Sequence, residues 1–206
     1  MGRSSASGGS GGSGSSAGPA SSAGATSPAI EVRVQHEDFD IGAEIARLRA
    51  GRDEVGAVAS FVGTVRGSSG GAVLESMTLE HYPGMTEASL AAIGREAAGR
   101  WAIDAGLVIH RIGELGSGDQ IVLVVVLSRH RGDAFAACEF IMDYLKTRAP
   151  FWKKERTSKG ESWVQARDSD TAAASRWASD EAAVRAADQT AGRQAADRTG
   201  RPKPDE

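Results

Sequence analysis

Between Lys146 and Arg156 five cations, Lys146, Arg148, Lys153, Lys154 and Arg156, stand against a single acid, Glu155. A second basic group, Arg129, His130 and Arg131, lies just upstream, yet the formal charge of the whole chain is −3. A basic cluster on an acidic protein points to a specific anion, not to a diffuse polyanion. The overall charge argues against general nucleic-acid affinity. Arginine suits bidentate contact with phosphate, whereas lysine is a mobile point charge that can change its proton affinity when desolvated. Such a set can hold an anionic ligand in a defined orientation. The one cysteine, Cys138, excludes an intramolecular disulfide and a multi-cysteine metal site. His36, His81 and His110 have no ligand-like spacing, so no metal is assigned and no cofactor is expected.

Each of these residues also has a plainer reading. A lysine in the last turn of a helix, as Lys146 would be, complements the helix dipole. Lys153 and Lys154 could snorkel from the aromatic pair Phe151-Trp152. Arg66 at a strand end could be solvated, and His130 could be a hydrogen-bonded structural residue. Cys138 falls on the apolar face of its helix and reads as a small core hydrophobe.

The elements that would position these groups follow from the apolar periodicity. Ile30, Val32 and Val34 alternate with polar residues as in a half-buried strand. Asp40 can cap a helix with Ile41, Ile45 and Leu48 on one face, stopped by Gly51. Val55–Val65 reads as a strand, Gly67–Gly71 as a turn, and Val73, Met77, Leu79 and His81 as a return strand broken by Pro83-Gly84. A helix is expected from about Thr86 to Trp101. Leu107–Ile112 and Gln120–Ser128 read as strands around Gly116-Ser117-Gly118-Asp119. Asp133 is expected to cap a helix that carries Ala134, Ala137, Cys138, Ile141 and Leu145 and cannot pass Pro150. Ser162–Ala166 reads as a short strand and Asp170–Trp177 as a short helix. Adjacent strand pairs with helices between them imply an α+β fold with antiparallel pairing.

The folded domain is expected over 30–178. Residues 1–29 form a Gly/Ser-rich arm that holds eight of the 26 glycines and reads as disordered. The Ala- and charge-rich tail over 179–206 reads the same way, with one frayed helix around Glu181–Ala187. The arm has no apolar h-region of a secretory signal, and Ala6 stands where a myristoylation site needs Ser or Thr. The longest apolar run, Ile121–Leu127, falls well short of the ~18 residues of a membrane helix. A cytoplasmic protein is the natural expectation.

Phe61-Val62-Gly63-Thr64-Val65-Arg66, Leu79-Glu80-His81-Tyr82-Pro83-Gly84-Met85, His110-Arg111-Ile112-Gly113, Gly118-Asp119 and the block from Ser128 through Glu155 strongly resemble the large, catalytic subunit of molybdopterin synthase, the MoaE family. The likeness spans Ile30–Trp177, in order and at the expected spacings, and leaves out both tails. It implies the α/β-hammerhead fold. It also implies that the chain is a sulfurtransferase of molybdenum cofactor biosynthesis. Sulfur would pass from the C-terminal thiocarboxylate of a small ubiquitin-like carrier to a cyclic pyranopterin monophosphate, forming the dithiolene of molybdopterin. By the same resemblance Lys146 and Lys153 are catalytic. Thr64, Val65, Arg66, His130, Arg131, Lys146, Lys153, Lys154 and Glu155 bind substrate, and Arg167 reaches the pocket of a second subunit in a homodimer. The family assembly is a heterotetramer, with one carrier at each end of the homodimer. Because the sequence ends in Pro204-Asp205-Glu206 and not Gly-Gly, the carrier is expected to be a separate protein. Two other readings stay open at this stage. One is a binding module of the same fold without turnover, and the other is a nucleic-acid binder using the 146–156 patch.

Overall fold

The computed structural model describes residues 29–164 and 170–177. Its elements run β1 (Ile30–Gln35), α1 (Ile41–Arg49), β2 (Ala57–Thr64), β3 (Ser68–Ser69), β4 (Ala72–His81), α2 (Met85–Arg100), β5 (Ala105–Arg111), β6 (Gly113–Leu115), β7 (Gln120–Ser128), α3 (Arg131–Arg148), β8 (Phe151–Thr157) and β9 (Gly160–Val164). Residues 170–177 are helical. The mixture of helices and largely antiparallel strands is the α+β fold expected from the sequence.

Two sheets share the work. The first has the order β1-β5-β7-β2, and the second runs β3-β4-β8-β9 with β6 paired to β4. The central strand β7 is buried on both faces. Val122, Val124 and Val126 meet the cluster under α2 and α3, and Leu123, Val125 and Leu127 meet the cluster under α1. Double-sided burial explains why this segment reads as an unbroken apolar run without alternation. A third cluster of Val65, Leu74, Met77, Leu79 and Leu115 fills the second sheet.

The local signals account for most boundaries. The Asp40 carboxylate accepts from Ala43 N at 2.9 Å and caps α1, and Gly51 ends the turn at φ 70°. At α2, the Glu87 carboxylate accepts from Gly84 N at 2.7 Å. Two expectations are corrected. First, β1 pairs with β5 in parallel, not antiparallel. The intervening chain carries two helices and three strands, ample length for the crossover that parallel neighbours require. Second, α3 is capped by His130 and not Asp133. Its chain turns as soon as it leaves β7, with His130 N donating to Ser128 Oγ at 3.2 Å. That leaves Asp133 inside the first turn, where a carboxylate favours the dipole. The segment 151–157, to which the periodicity assigns no element, is a full strand, β8, paired with both β4 and β9.

The arm over 1–28, the tail over 178–206 with its expected helix at 181–187, and Gln165, Ala166 and Arg167 lie outside the described residues. Among the described residues no helix is long and apolar enough to cross a membrane.

Candidate active site

The seam between the two sheets opens into a cavity of about 500 Å³. Four elements bring cations or carboxylates to it. The end of β2 supplies Thr64 and, just beyond, Arg66; the last turn of α3 supplies Lys146; β8 supplies Lys153 and Glu155; the segment 170–177 supplies Asp170. Aliphatic and aromatic groups, among them Leu79, Ile121, Met142 and Phe151, complete its wall.

Strand period decides which residues of each element face inward. At the end of β2 the register slips between Gly63 and Thr64. Val65 N then donates to Asp119 O at 2.9 Å. Val65 turns its side chain into the core at 2% exposure, so Thr64 and Arg66 on either side face the cavity. On β8 the alternation puts Phe151, Lys153 and Glu155 inside and Trp152, Lys154 and Arg156 outside. The start of β8 is fixed from α2, where Thr86 Oγ1 donates to Pro150 O at 3.2 Å.

The electrostatics are those of a cationic pocket with built-in counterions. Lys153 Nζ lies 3.4 Å from Glu155 Oε1, and the Glu155 side chain is only 8% exposed. Lys146 Nζ lies 3.3 Å from Asp170 Oδ1. Among the described residues no carboxylate pairs with Arg66. The pocket also holds a neutral imidazole. Burial pushes the His110 pKa down to about 4, its ring stacks on Phe151 at 3.7 Å, and Nδ1 lies 2.8 Å from Arg111 O. With Nδ1–H donating to that carbonyl, Nε2 carries the lone pair. Cys138 is buried in the apolar core, and burial raises its thiol to about 11. It is therefore a poor nucleophile.

The structure thus gathers Thr64, Arg66, Lys146, Lys153 and Glu155 around one cavity. It does not bring the other expected residues there. Val65 is in the core. Lys154 pairs with Glu161 at 3.4 Å on the outer face. His130 and Arg131 sit exposed at the other end of α3, roughly 22 Å from Lys146 at the helical rise of ~1.5 Å per residue. Arg148, from the same basic cluster, is turned onto α2, with its guanidinium over the Tyr144 ring at 3.5 Å and 2.8 Å from Glu96. The sequence reading missed Asp170 and the inward role of His110. An acid at a helix start has a sufficient local explanation, and a lone histidine on a strand gives no sign of which cavity it lines. A cluster of histidines, cysteines and carboxylates able to hold a metal does not occur among the described residues.

Among the described residues, two lysines and an arginine that no carboxylate pairs with frame this cavity, an arrangement suited to holding anions. The family model described as "MoaE protein" matches residues 34–148. A molybdopterin synthase catalytic subunit of Ralstonia nicotianae is 62% identical over 146 residues, covering 71% of this chain and 83% of that one. One from Escherichia coli is 55% identical, covering 71% and 97%. Among solved structures, the molybdopterin biosynthesis MoaE protein of Burkholderia ambifaria superposes with a TM-score of 0.63 at 54% identity, covering 72% of this chain and 98% of that one. Molybdopterin synthase of Staphylococcus aureus does so with 0.60 at 33% identity, covering 65% and 96%. The chain belongs to the MoaE family.

Proposed function

We propose that this chain is the catalytic subunit of a cytoplasmic molybdopterin synthase. It transfers sulfur from the C-terminal thiocarboxylate of a small Gly-Gly-ended carrier to cyclic pyranopterin monophosphate. The observation that carries this reading is the convergence of Arg66, Lys146 and Lys153 on one cavity from three separate elements. The substrate bears a phosphate, the carrier arrives as a thiocarboxylate, and after hydrolysis it leaves as a carboxylate. Every species the site handles is an anion. Arg66, free of any carboxylate among the described residues, offers its fork to the phosphate without first giving up a partner. Lys146 and Lys153 serve to neutralise or protonate the oxygen that sulfur displaces, as charge-stabilising groups do. Cys138 takes no part, because sulfur arrives already bound to the carrier.

His130 and Arg131 lie too far from Lys146 to serve the same pocket. We assign them, with Arg167, to the cavity of a second copy in a homodimer, which with two carriers makes a heterotetramer. The test is incubation of the chain with precursor pterin and thiocarboxylated carrier, followed by detection of the dithiolene product. Dithiolene formation that needs both components is expected. Carrier and pterin binding without product would instead leave a binding module of the same fold.

A further inference from the structure

The two lysines of the cavity hold their counterions in different ways. Lys153 and Glu155 are neighbours on one strand face, and Glu155 is almost wholly shielded from solvent, with its side chain 8% exposed. That pair is built into the sheet. Lys146 takes its carboxylate from a separate piece of chain. Asp170 is the first described residue of the helical segment 170–177, and its side chain is 22% exposed. Its one ion pair among the described residues is the 3.3 Å contact to Lys146 Nζ.

The rest of that helical segment is docked firmly. Trp177 is buried, packs edge-on against Trp101 and Phe140 at 5.7 and 5.5 Å, and donates from Nε1 to Asp143 Oδ2 at 2.8 Å. Arg176 bridges Glu139 and Asp143 on α3 at 2.6 and 2.8 Å. The anchor is thus at the far end of the segment, and the near end delivers a carboxylate to a lysine that lines the cavity. A surface-type ion pair of this exposure is worth little, so its exchange for another carboxylate is nearly balanced. The pair at Lys153, whose carboxylate is buried, costs more to break and does not exchange in this way.

We propose that Asp170 is a placeholder carboxylate. It occupies the Lys146 ammonium in the empty site and yields it to the carboxyl terminus of the sulfur carrier as that tail enters. Asp170 is thereby a positioning residue that keeps Lys146 aimed into the cavity between turnovers. It also sets a threshold that favours release of the spent, carboxylate-ended carrier. This inference rests on the sulfur-transfer reading above. A competing role for Asp170 is local support of its helical segment. Asparagine keeps the size and polarity of the side chain and removes only the charge, so the two roles separate.

The experiment measures the affinity of the full chain for carrier ending in an ordinary Gly-Gly carboxylate. The variants are Asp170→Asn and Asp170→Glu, each with Lys146 intact and with Lys146→Met. With Lys146 present, Asp170→Asn is expected to tighten carrier binding about two- to fivefold, the range of an exposed ion pair, and Asp170→Glu to retain the parent affinity. With Lys146→Met, Asp170→Asn is expected to have no effect, because the competition has lost its object. Unchanged or weaker binding for Asp170→Asn beside an intact Lys146 overturns the proposal. Equal tightening in the Lys146→Met background also overturns it, since the effect is then one of general charge. If Asp170→Asn melts early, Asp170→Ser, also polar and uncharged, carries the same comparison. A parent chain that does not bind the carrier at all overturns the sulfur-transfer reading itself, and this inference with it.

Discussion

Replacing Glu155 by glutamine keeps the shape of the side chain and removes one charge from behind Lys153. At the observed 3.4 Å the attraction is about 5 kcal/mol gross at an effective dielectric constant near 20. Most of that is offset by the desolvation of a carboxylate that is nearly all buried. Lys153 is a third exposed, so water screens the cation once its partner is gone, and the net loss of stability comes to about 1–2 kcal/mol. For a domain of this size that corresponds to a fall in melting temperature of roughly 2–8 °C. The catalytic effect is expected to be larger in proportion. Without its tether the Lys153 ammonium moves among rotamers, and a misplaced catalytic group costs about tenfold or more in rate. Thermal unfolding and single-turnover sulfur transfer, measured on the same preparation, check both figures. A variant that melts early but transfers sulfur at the parent rate would refute the reasoning, because Glu155 would then only support the sheet.

His110 and Cys138 give two further expectations. His110 is held at about 4 in the folded chain against 6.5 when unfolded, so the unfolded chain takes up its proton first as pH falls. Its contribution is fully present above pH ~6.5 and is lost toward pH ~4, about 3 kcal/mol in all. Urea unfolding of the parent and of His110→Gln across that window should show a flatter pH dependence in the variant, and parallel curves would contradict it. Cys138→Ala should keep parental turnover at a modest cost in stability, and the native thiol should react slowly with alkylating agents because burial raises it to about 11. Loss of sulfur transfer in a well-folded Cys138→Ala would place sulfur on this chain.

Much of this architecture is legible in the residues, and the parts that are not have physical reasons. The α1 cap at Asp40, the stop at Gly51 and the two-faced burial of β7 each rest on a local signal that nothing distant overrides. Strand β8 is hidden because both its faces carry charge. Lys153 and Glu155 point into a cavity while Lys154 and Arg156 point to solvent, so the period of two leaves no trace in hydropathy. The parallel pairing of β1 with β5 depends on contacts between distant segments, which periodicity cannot report. At the site, the basic cluster marked Lys146 and Lys153 as anion-handling groups, and the family resemblance added Arg66. Their convergence needed the turn at Pro150, the register slip at Gly63 and the seam between sheets. Proximity in sequence also groups His130 and Arg131 with Lys146, and the straight run of α3 separates them.

The most direct test of the catalytic assignment is single-turnover sulfur transfer by Lys146→Ala, with saturating thiocarboxylated carrier and precursor pterin, beside Arg66→Ala. Lys146→Ala is expected to slow the transfer step about 10²-fold or more while carrier affinity changes far less. Arg66→Ala is expected mainly to weaken pterin binding, because a phosphate keeps its charge in ground and transition states alike. A Lys146→Ala enzyme that forms dithiolene at the parent rate would contradict the assignment of chemistry to this cavity.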